Sequence, residues 1–475
     1  MELLFESRVC LGGITGKVLA VQGKPELHEE PVLVGDTEVD GSGASIYGSV
    51  LWADGRFRMW YQAWPSRWTG KDAAQVAYAE SEDGVEWRKP DLAAGRPDRP
   101  GGNLTNLSFH SPSVFIDPCG AATHRYRATG FARPGHAGAC EAIRSQGYYT
   151  AHSADGLDWE LDTASPVWPG ADVITSFYHP GRSEGLVALK QIARYRGIPR
   201  RSIWNAGLRD GVWTRESRAL VPDDFDDVAA ISRGFAGGDY YGMGMQAAAN
   251  SVVGFLWQFR HTLPRTATVG YEAGIFGSVG VSLAFQERAG DCWQHAPARM
   301  DFIPHDALSW AEGGFYTSSC PVEYGEEHRL YLCGARHTHG WYLDSSWGRR
   351  ERWTRELMDE GLARITYASW PRWRLFGFRA DPEGSLELRL EGLERPCRLV
   401  LNYECDPTGS VRVAVSGDEA RSKERAVALT GSSLDAVVAW EGGDLLGPVP
   451  ESGRMTLQLH LERATVWAFE LRPVE

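Results

Sequence analysis

The 475-residue chain is expected to be all-β, a five-bladed β-propeller followed by a carboxy-terminal β-sandwich. Three observations carry that expectation. A short theme recurs as Ser81-Glu-Asp-Gly-Val-Glu-Trp87, Ser153-Ala-Asp-Gly-Leu-Asp-Trp159, Leu208-Arg-Asp-Gly-Val-Trp213 and, more loosely, Glu287-Arg-Ala-Gly-Asp-Cys-Trp293. In each, alternating residues run into a turn that needs positive φ, and a Trp packs on the returning strand. The tryptophans recur at intervals too long for one hairpin and suited to a four-stranded blade with variable loops, against roughly 40–50 residues in a compact blade. Five strand pairs and a period-2 tail complete the argument.

The five pairs are inner strands followed by second strands. Ser45–Leu51 precedes Arg56–Tyr61, Ser111–Ile116 precedes His124–Ala128, and Asp172–Tyr178 precedes Leu186–Lys190. Tyr240–Gln246 then precedes Val253–Trp257, and Gly314–Ser319 precedes Leu330–Cys333. A helical-looking stretch, Arg350–Glu360, interrupts the fifth blade before Ile365-Thr-Tyr-Ala-Ser369 supplies its last strand. From about residue 380 the pattern becomes Ser385–Leu390, Cys397–Asn402, Ser410–Val415 and Thr456–Leu461, each alternating apolar and polar. The division is therefore 1–378 for the propeller with an amino-terminal extension and 379–475 for the sandwich, bridged by apolar Arg372–Phe378.

Composition agrees and excludes several functions. Trp 19, Tyr 17, Phe 17, Gly 54 and Pro 25 suit short aromatic strands and many turns, and no helical heptads are evident. The net charge of −13 argues against a general phosphate-binding surface, so no nucleic-acid partner is expected. The eight cysteines lack a Cys-x-x-Cys spacing and read as thiols rather than zinc ligands. Met1-Glu-Leu-Leu-Phe-Glu6 lacks a basic and then apolar leader pattern, and no run approaches a membrane span, so a cytoplasmic protein with no membrane partner is expected.

A propeller brings the entry ends of its inner strands to one funnel, where two carboxylates can cleave a glycosidic bond: one protonates the leaving oxygen and the other attacks or activates water. Three entry-end acids from different blades are the catalytic candidates: Asp40 before inner strand one, with Glu38 as its competitor, Asp172 opening strand three, and Glu312 opening strand five. Glu312 is read as general acid, Asp40 as base or nucleophile, and Asp172 as tuning pKa or orientation. His110, Lys190, Arg201, Tyr241, Trp310, His337 and His339 are the substrate-binding candidates, with Arg200 and Gln246 beside them. His337 and His339 would share one side of a strand, but a third ligand is missing and no metal is assigned; no cofactor is expected. Trp64, Trp68, Trp257, Trp310 and Trp341 are either sugar-stacking platforms or blade packing. The acid run Asp223, Asp224, Asp226 and Asp227 reads as a solvated loop.

A Tyr-Gly-Ser-Val inner strand is followed by Phe57-Arg-Met-Trp-Tyr61, Tyr78–Pro90, His110-Ser-Pro-Ser-Val114 and Arg125-Tyr-Arg-Ala128. That order resembles bacterial glycoside hydrolase family 32-like proteins with a five-bladed propeller. Gly409–Val413, Val437–Asp444 and Ala468–Leu471 are similar to the sandwich appended to those propellers. The resemblance implies the fold and a glycosidase ancestry. It does not extend to fructose, because the Trp-Met-Asn-Asp-Pro-Asn-Gly, Arg-Asp-Pro and Glu-Cys motifs of invertases and fructanases are absent, and His110-Ser-Pro112 stands where Arg-Asp-Pro would.

The expected function is thus a glycoside hydrolase acting on a small glycoside or oligosaccharide, not a typical fructofuranosidase. A carbohydrate phosphorylase or lyase on the same fold, or a non-catalytic carbohydrate-binding propeller, remains the alternative.

Overall fold

The computed structural model describes residues 1–4, 11–66, 74–96, 99–136, 140–170, 172–264, 274–340, 361–391, 393, 395–448 and 453–474. Trp68, Trp341 and the 350–360 stretch fall outside them. Strands dominate, and the described residues contain one α-helix.

Strand β1 (Leu11–Gln22) enters the carboxy-terminal sheet before the chain turns to its first hairpins. A three-stranded antiparallel sheet follows, β2 (Gly43–Ala53), β3 (Arg56–Trp64) and β4 (Gln75–Ser81). The next sheet is β5 (His110–Ile116), β6 (Tyr126–Ala132) and β7 (Gly147–Ser153), with Glu160–Leu161 at its edge. The third holds β8 (Ile174–His179), β9 (Glu184–Tyr195) and β10 (Ile198–Arg209), with two short strands beside β10. Helix α1 (Asp224–Ile231) leads to β11 (Gly237–Ala248), β12 (Ser251–His261) and β13 (Gly277–Gln286), and then to β14 (Gly314–Thr317), β15 (Glu327–Ala335) and β16 (Ala363–Pro371). A single parallel bridge, Val279 to Gly314, joins these last two sets into one ten-stranded ladder. Its far edge is closed by Glu26–Leu27, which pairs with β16.

The first strands of the five sets, β2, β5, β8, β11 and β14, touch in a ring: each contacts the next, and β14 returns to β2. Their meeting point is polar. Ser49, Ser113, Ser176 and Ser319 have essentially no exposed surface. Ser319 Oγ lies 2.7 Å from Ser49 Oγ and 2.5 Å from Ser113 Oγ, and Ser113 Oγ takes the Ser176 backbone hydrogen at 2.6 Å. Small hydroxyls let the strands approach and satisfy one another where apolar side chains would leave backbone groups unpaired.

The recurring Ser-x-Asp-Gly theme is larger than the expected two-residue turn. Ser81 Oγ donates to Asp83 Oδ1 at 2.9 Å and accepts the Gly84 N–H at 2.9 Å, while Asp83 Oδ1 accepts from the Val85 and Glu86 backbones. Ser153, Asp155, Gly156, Leu157 and Asp158 repeat the same bonds. Side-chain acceptors shape these loops, and the backbone pairs again just beyond them, Glu80 with Arg88 and His152 with Glu160. The mirror-image two-residue turn is made by Asp54-Gly55, Arg196-Gly197 and Asp210-Gly211, with φ of 55° and 77°, 50° and 81°, and 51° and 75°.

Each loop also fastens one sheet to the next. Trp60 Nε1 donates to the Gly156 carbonyl at 2.6 Å, and the Tyr331 hydroxyl donates to the Gly84 carbonyl at 2.8 Å. Gly156 has φ +80°, and a Cβ there would stand 2.7 Å from Trp60 Cζ2. Gly156→Ala is expected to cost about 1–3 kcal/mol, the sum of left-handed strain and overpacking. Gly197, also at positive φ, faces open space, so Gly197→Ala should cost only the conformational part. Urea midpoints of the two variants check this, and equal losses would mean that the Trp60 contact is not tight.

The acid run departs from expectation. Asp223 caps α1 by accepting the Phe225 and Asp226 N–H groups, and Asp226 Oδ2 accepts the Asp223 N–H at 2.9 Å. Carboxylates complement the positive end of a helix, and this reciprocal pair is a capping box. Asp226 is buried between the Tyr240 hydroxyl at 2.6 Å and Arg299 at 2.6 Å. Local charge density suggested solvent, whereas distant Arg299 and Tyr240 supply the partners.

The carboxy-terminal part is one seven-stranded antiparallel ladder. Its order is β1, β17 (Phe376–Glu391), β20 (Arg454–Pro473), β18 (Cys397–Val415) and β19 (Ser432–Val437), with Glu2–Leu3 on β20 and Leu445–Leu446 on β18. The two segments expected at 397–402 and 410–415 are halves of β18, separated by a register break between Cys405 and Ser410. Alternation holds on both sides of such breaks. Leu386, Leu388, Leu399, Leu401, Val411, Val413, Leu457 and Leu459 are buried in one cluster.

Candidate functional site

Asp172 stands just before β8 with φ +99°, a conformation that costs a non-glycine residue about 1–3 kcal/mol and persists only where its surroundings fix it. The surroundings are specific. Asp172 Oδ1 lies 3.3 Å from His110 Nε2, and Oδ2 meets the Lys190 ammonium and lies 3.1 Å from the Tyr241 hydroxyl. Its side chain is 32 % exposed, so the carboxylate is reachable from solvent. Burial opposes ionisation, but Lys190 and His110 outweigh it and hold the carboxyl well below its ordinary range.

The His110 tautomer follows from its neighbours. Gln62 Oε1 accepts the Ser111 backbone N–H, so Gln62 Nε2 points its hydrogens at His110 Nδ1, 2.9 Å away. Nδ1 is therefore the acceptor, and Nε2 carries the hydrogen toward Asp172. Lys190, itself buried, has its pKa lowered by burial against the opposing pull of Asp172, and its ammonium sits 4.3 Å from the Tyr241 ring centre. Arg201 lies over the Phe259 and Tyr241 rings, with Asp239 3.6 Å from its guanidinium.

Aromatic groups from the other sets surround this cluster. The Tyr47 ring is 5.7 Å from His110, 5.2 Å from Tyr316 and 5.9 Å from Trp257. Tyr316 also lies 5.5 Å from Tyr241, and burial raises the pKa of all three tyrosines. His339, turning in after β15, places Nε2 3.0 Å from the Tyr241 hydroxyl. Every one of the five hairpin sets contributes.

Three register breaks make this convergence. The ladders β2 to β3, β5 to β6 and β11 to β12 skip between Ser45 and Ser49, His110 and Ser113, and Tyr240 and Gly242. A bulge re-aims the side chain beside it. Tyr47, His110 and Tyr241 lie at these breaks.

Of the residues expected at the site, His110, Asp172, Lys190, Arg201, Tyr241 and His339 come together. Asp40 does not join them. It has no exposed surface: Oδ1 accepts from Asp36 N, Thr37 N and the Thr37 hydroxyl at 3.2, 3.0 and 2.7 Å, and Oδ2 accepts from the Tyr61 hydroxyl at 2.7 Å and Lys89 at 2.6 Å. A carboxylate so enclosed organises its loop and cannot reach an anomeric carbon. Glu38, its competitor, is exposed on that loop.

Glu312 is exposed in the turn before β14 and is not among the partners of Asp172. Trp310 donates to the Glu29 carbonyl at 2.8 Å and packs on Gly334, so its indole clasps the amino-terminal segment. His337 lies in a bend rather than a strand, which removes the alternation that would have paired it with His339. Among the described residues no three of His, Cys, Asp or Glu converge as metal ligands.

Gln246 meets His328 at 2.8 Å at the other end of β11, and Arg200 is committed to Asp227 and Asp239. Trp64 and Trp257 donate to Ser45 and Thr317 inside the core, as packing rather than platforms. Tyr47, Gln62 and Tyr316 were not foreseen. The Tyr-Gly pair shared by Tyr47-Gly48 and Tyr241-Gly242 was the available signal: a Cβ at Gly48 would fall 2.0 Å from the Trp60 carbonyl oxygen and one at Gly242 2.4 Å from the Trp257 ring.

No family model and no curated protein matches the chain. Solved structures give distant likenesses. One is described under the GH130 family of mannoside phosphorylases containing glycoside hydrolases that target β-1,2 mannosidic linkages, at 13% identity and a TM-score of 0.42, covering 77% of this chain and 96% of that one. A second is a glycoside hydrolase family 43 arabinoxylan arabinofuranohydrolase from Bacillus subtilis, at 8% identity and 0.41, covering 94% and 99%. A third is a GH32 β-fructofuranosidase from Bombyx mori, at 10% identity and 0.40, covering 95% and 94%. At TM-scores and identities this low, the likeness defines no activity and no site residue of this chain.

Proposed function

We propose that the chain is a glycoside hydrolase cleaving a small neutral glycoside or oligosaccharide at the funnel of a five-bladed propeller, residues 1–378, with a β-sandwich at 379–475. The observation that carries this reading is Asp172: an ionised, solvent-reachable carboxylate on a strained backbone, ringed by Tyr, His, Lys and Gln groups. Such a carboxylate can attack an anomeric carbon or activate water, and the surrounding donors and acceptors suit sugar hydroxyls. This moves the anionic role from Asp40 to Asp172. Glu312→Gln is accordingly expected to keep most of the turnover on both activated and unactivated substrates, and a loss confined to poor leaving groups would restore it as general acid.

Charge favours a neutral substrate. Lys190 is balanced by Asp172 and Arg201 by Asp239, and burial pushes the His339 pKa down to about 4. The described funnel thus has no surplus of positive charge for phosphate, which weighs against a phosphorylase.

One observation favours a carbohydrate-binding propeller without turnover: both Asp172 oxygens are already bonded, and no second carboxylate is among their partners. A panel of aryl glycosides and unactivated oligosaccharides, run beside calorimetric titration, separates the readings. Turnover supports the hydrolase, saturable binding without turnover supports the binder, and neither would remove carbohydrate from the account.

A further inference from the structure

The hydrogen bonds on either side of His110 form a chain whose two ends are fixed. One end is the Ser111 backbone N–H, which can only donate, and the other is the ionised Asp172 carboxylate, which can only accept. Between them every bond runs one way: Ser111 N–H to Gln62 Oε1 at 3.3 Å, Gln62 Nε2 to His110 Nδ1 at 2.9 Å, and His110 Nε2 to Asp172 Oδ1 at 3.3 Å. Turning the Gln62 amide over would set its hydrogens against the Ser111 N–H, and moving the His110 hydrogen to Nδ1 would set a lone pair against the carboxylate. The chain crosses three of the five hairpin sets, from Gln62 on β3 through His110 on β5 to Asp172 before β8.

The backbone at the donor end is shaped for this bond. Ser111 has φ +52° and lies inside the break in the β5 to β6 ladder. Its hydroxyl is buried and has no hydrogen-bond partner among the described residues, so the left-handed turn serves the N–H and not the side chain. Gln62 is itself only 1 % exposed. Packing alone would not orient His110. The rings of Tyr47, Phe131 and His136 lie 5.7, 6.2 and 6.0 Å from it, and such contacts do not tell a ring nitrogen from a ring carbon. An imidazole turned half over has nearly the same shape and would show Asp172 a C–H in place of the Nε2 hydrogen.

We propose that Gln62 is a positioning residue: its amide, anchored on the Ser111 N–H, marks Nδ1 of His110 and so keeps the Nε2 hydrogen on Asp172 Oδ1, which fixes the plane of the carboxylate in the funnel. This rests on the reading of Asp172 as the working carboxylate of a glycoside hydrolase. Gln62 touches neither Asp172 nor a ligand and acts through His110 alone.

Two measurements on the intact protein test this, with Gln62→Leu and Gln62→Met as variants that fill the site without a donor. With ¹⁵N-labelled histidine, the His110 signals, assigned by their loss in His110→Phe, should show a protonated Nε2 and an unprotonated, hydrogen-bonded Nδ1 at neutral pH. Either Gln62 variant should move the Nδ1 signal toward that of a free lone pair. A protonated Nδ1 in the wild type, or an Nδ1 signal that both variants leave in place, overturns the inference whatever the activity. The second measurement is a double-mutant cycle on turnover of aryl glycosides and oligosaccharides. Gln62→Leu should lower kcat about 10- to 100-fold with KM within about threefold, because a misplaced carboxylate costs the chemical step and not binding. In the His110→Phe background the same substitution should cost about twofold or less, since Gln62 then has nothing to act through. Equal losses in the two backgrounds would mean that Gln62 acts by packing and overturn the positioning role. If the wild type turns over no glycoside, the hydrolase reading falls and the role in turnover falls with it, while the nitrogen signals separately judge the hydrogen-bond chain.

Discussion

Asp172→Asn is expected to lower turnover by on the order of 10³- to 10⁵-fold with the fold retained, because the amide keeps the size and one acceptor of the carboxylate but cannot form a bond to an anomeric carbon or take a proton from water. The pH profile supplies an independent check. Asp172 works ionised, so activity is lost as pH falls through its pKa, and Lys190 and His110 hold that value well below the ordinary carboxylate range. The acid limb of kcat/KM should therefore lie below that range in the wild type. Lys190→Met removes the ammonium that lowers the pKa, and burial, which raises it, is left less opposed. The acid limb should move to higher pH. Full turnover in Asp172→Asn would remove this residue from the mechanism, and an unmoved limb in Lys190→Met would mean that another group sets it.

Asp172, His110 and Tyr241 were legible because each opens an inner strand, and a ring of inner strands converges whatever the loops do. Tyr47 and Gln62 were not. A period-2 pattern assigns alternate residues to alternate faces, and the breaks at 45–49, 110–113 and 240–242 are the places where that rule fails. Alternation alone finds none of the side chains at these breaks: His110 and Tyr241 were found by their place near the start of an inner strand, and Tyr47, farther along its strand, was not. The same limitation runs the other way in the tail, where alternation correctly marked 397–402 and 410–415 as strands but did not reveal that one bent strand carries both. Asp40 was misjudged for a different reason. Asp-Gly-Ser-Gly reads as an exposed loop, yet Lys89 and Tyr61, far along the chain, fold over the carboxylate and seal it. Burial of an acid depends on partners that composition does not announce.

That sealing makes Asp40 a stability residue, and Asp40→Ala is expected to cost about 3–5 kcal/mol. The variant leaves the largely buried Lys89 ammonium with only the exposed Asp36 carboxylate and the Val34 carbonyl as partners, and it strips the Asp36 and Thr37 N–H groups of their acceptor. Asp40→Asn should lose less, since its oxygen can still accept from the 36–37 backbone while the charge opposite Lys89 is gone. The pH dependence has a definite sign. Burial raises the Asp40 pKa, but Lys89, Thr37 and Tyr61 overcome it, and the folded value lies below the unfolded one. The contribution is then fully present above the unfolded carboxyl value of about 3.9 and fades as pH falls through the lower folded value. The wild type should lose stability relative to Asp40→Asn only on acidification below about pH 4. Urea midpoints from pH 7 downward measure this difference, with turnover per folded molecule followed in parallel. Unchanged midpoints together with abolished turnover would return Asp40 to the catalytic centre, whereas lower midpoints with intact turnover per folded molecule place its carboxylate in the scaffold that holds the first inner strand.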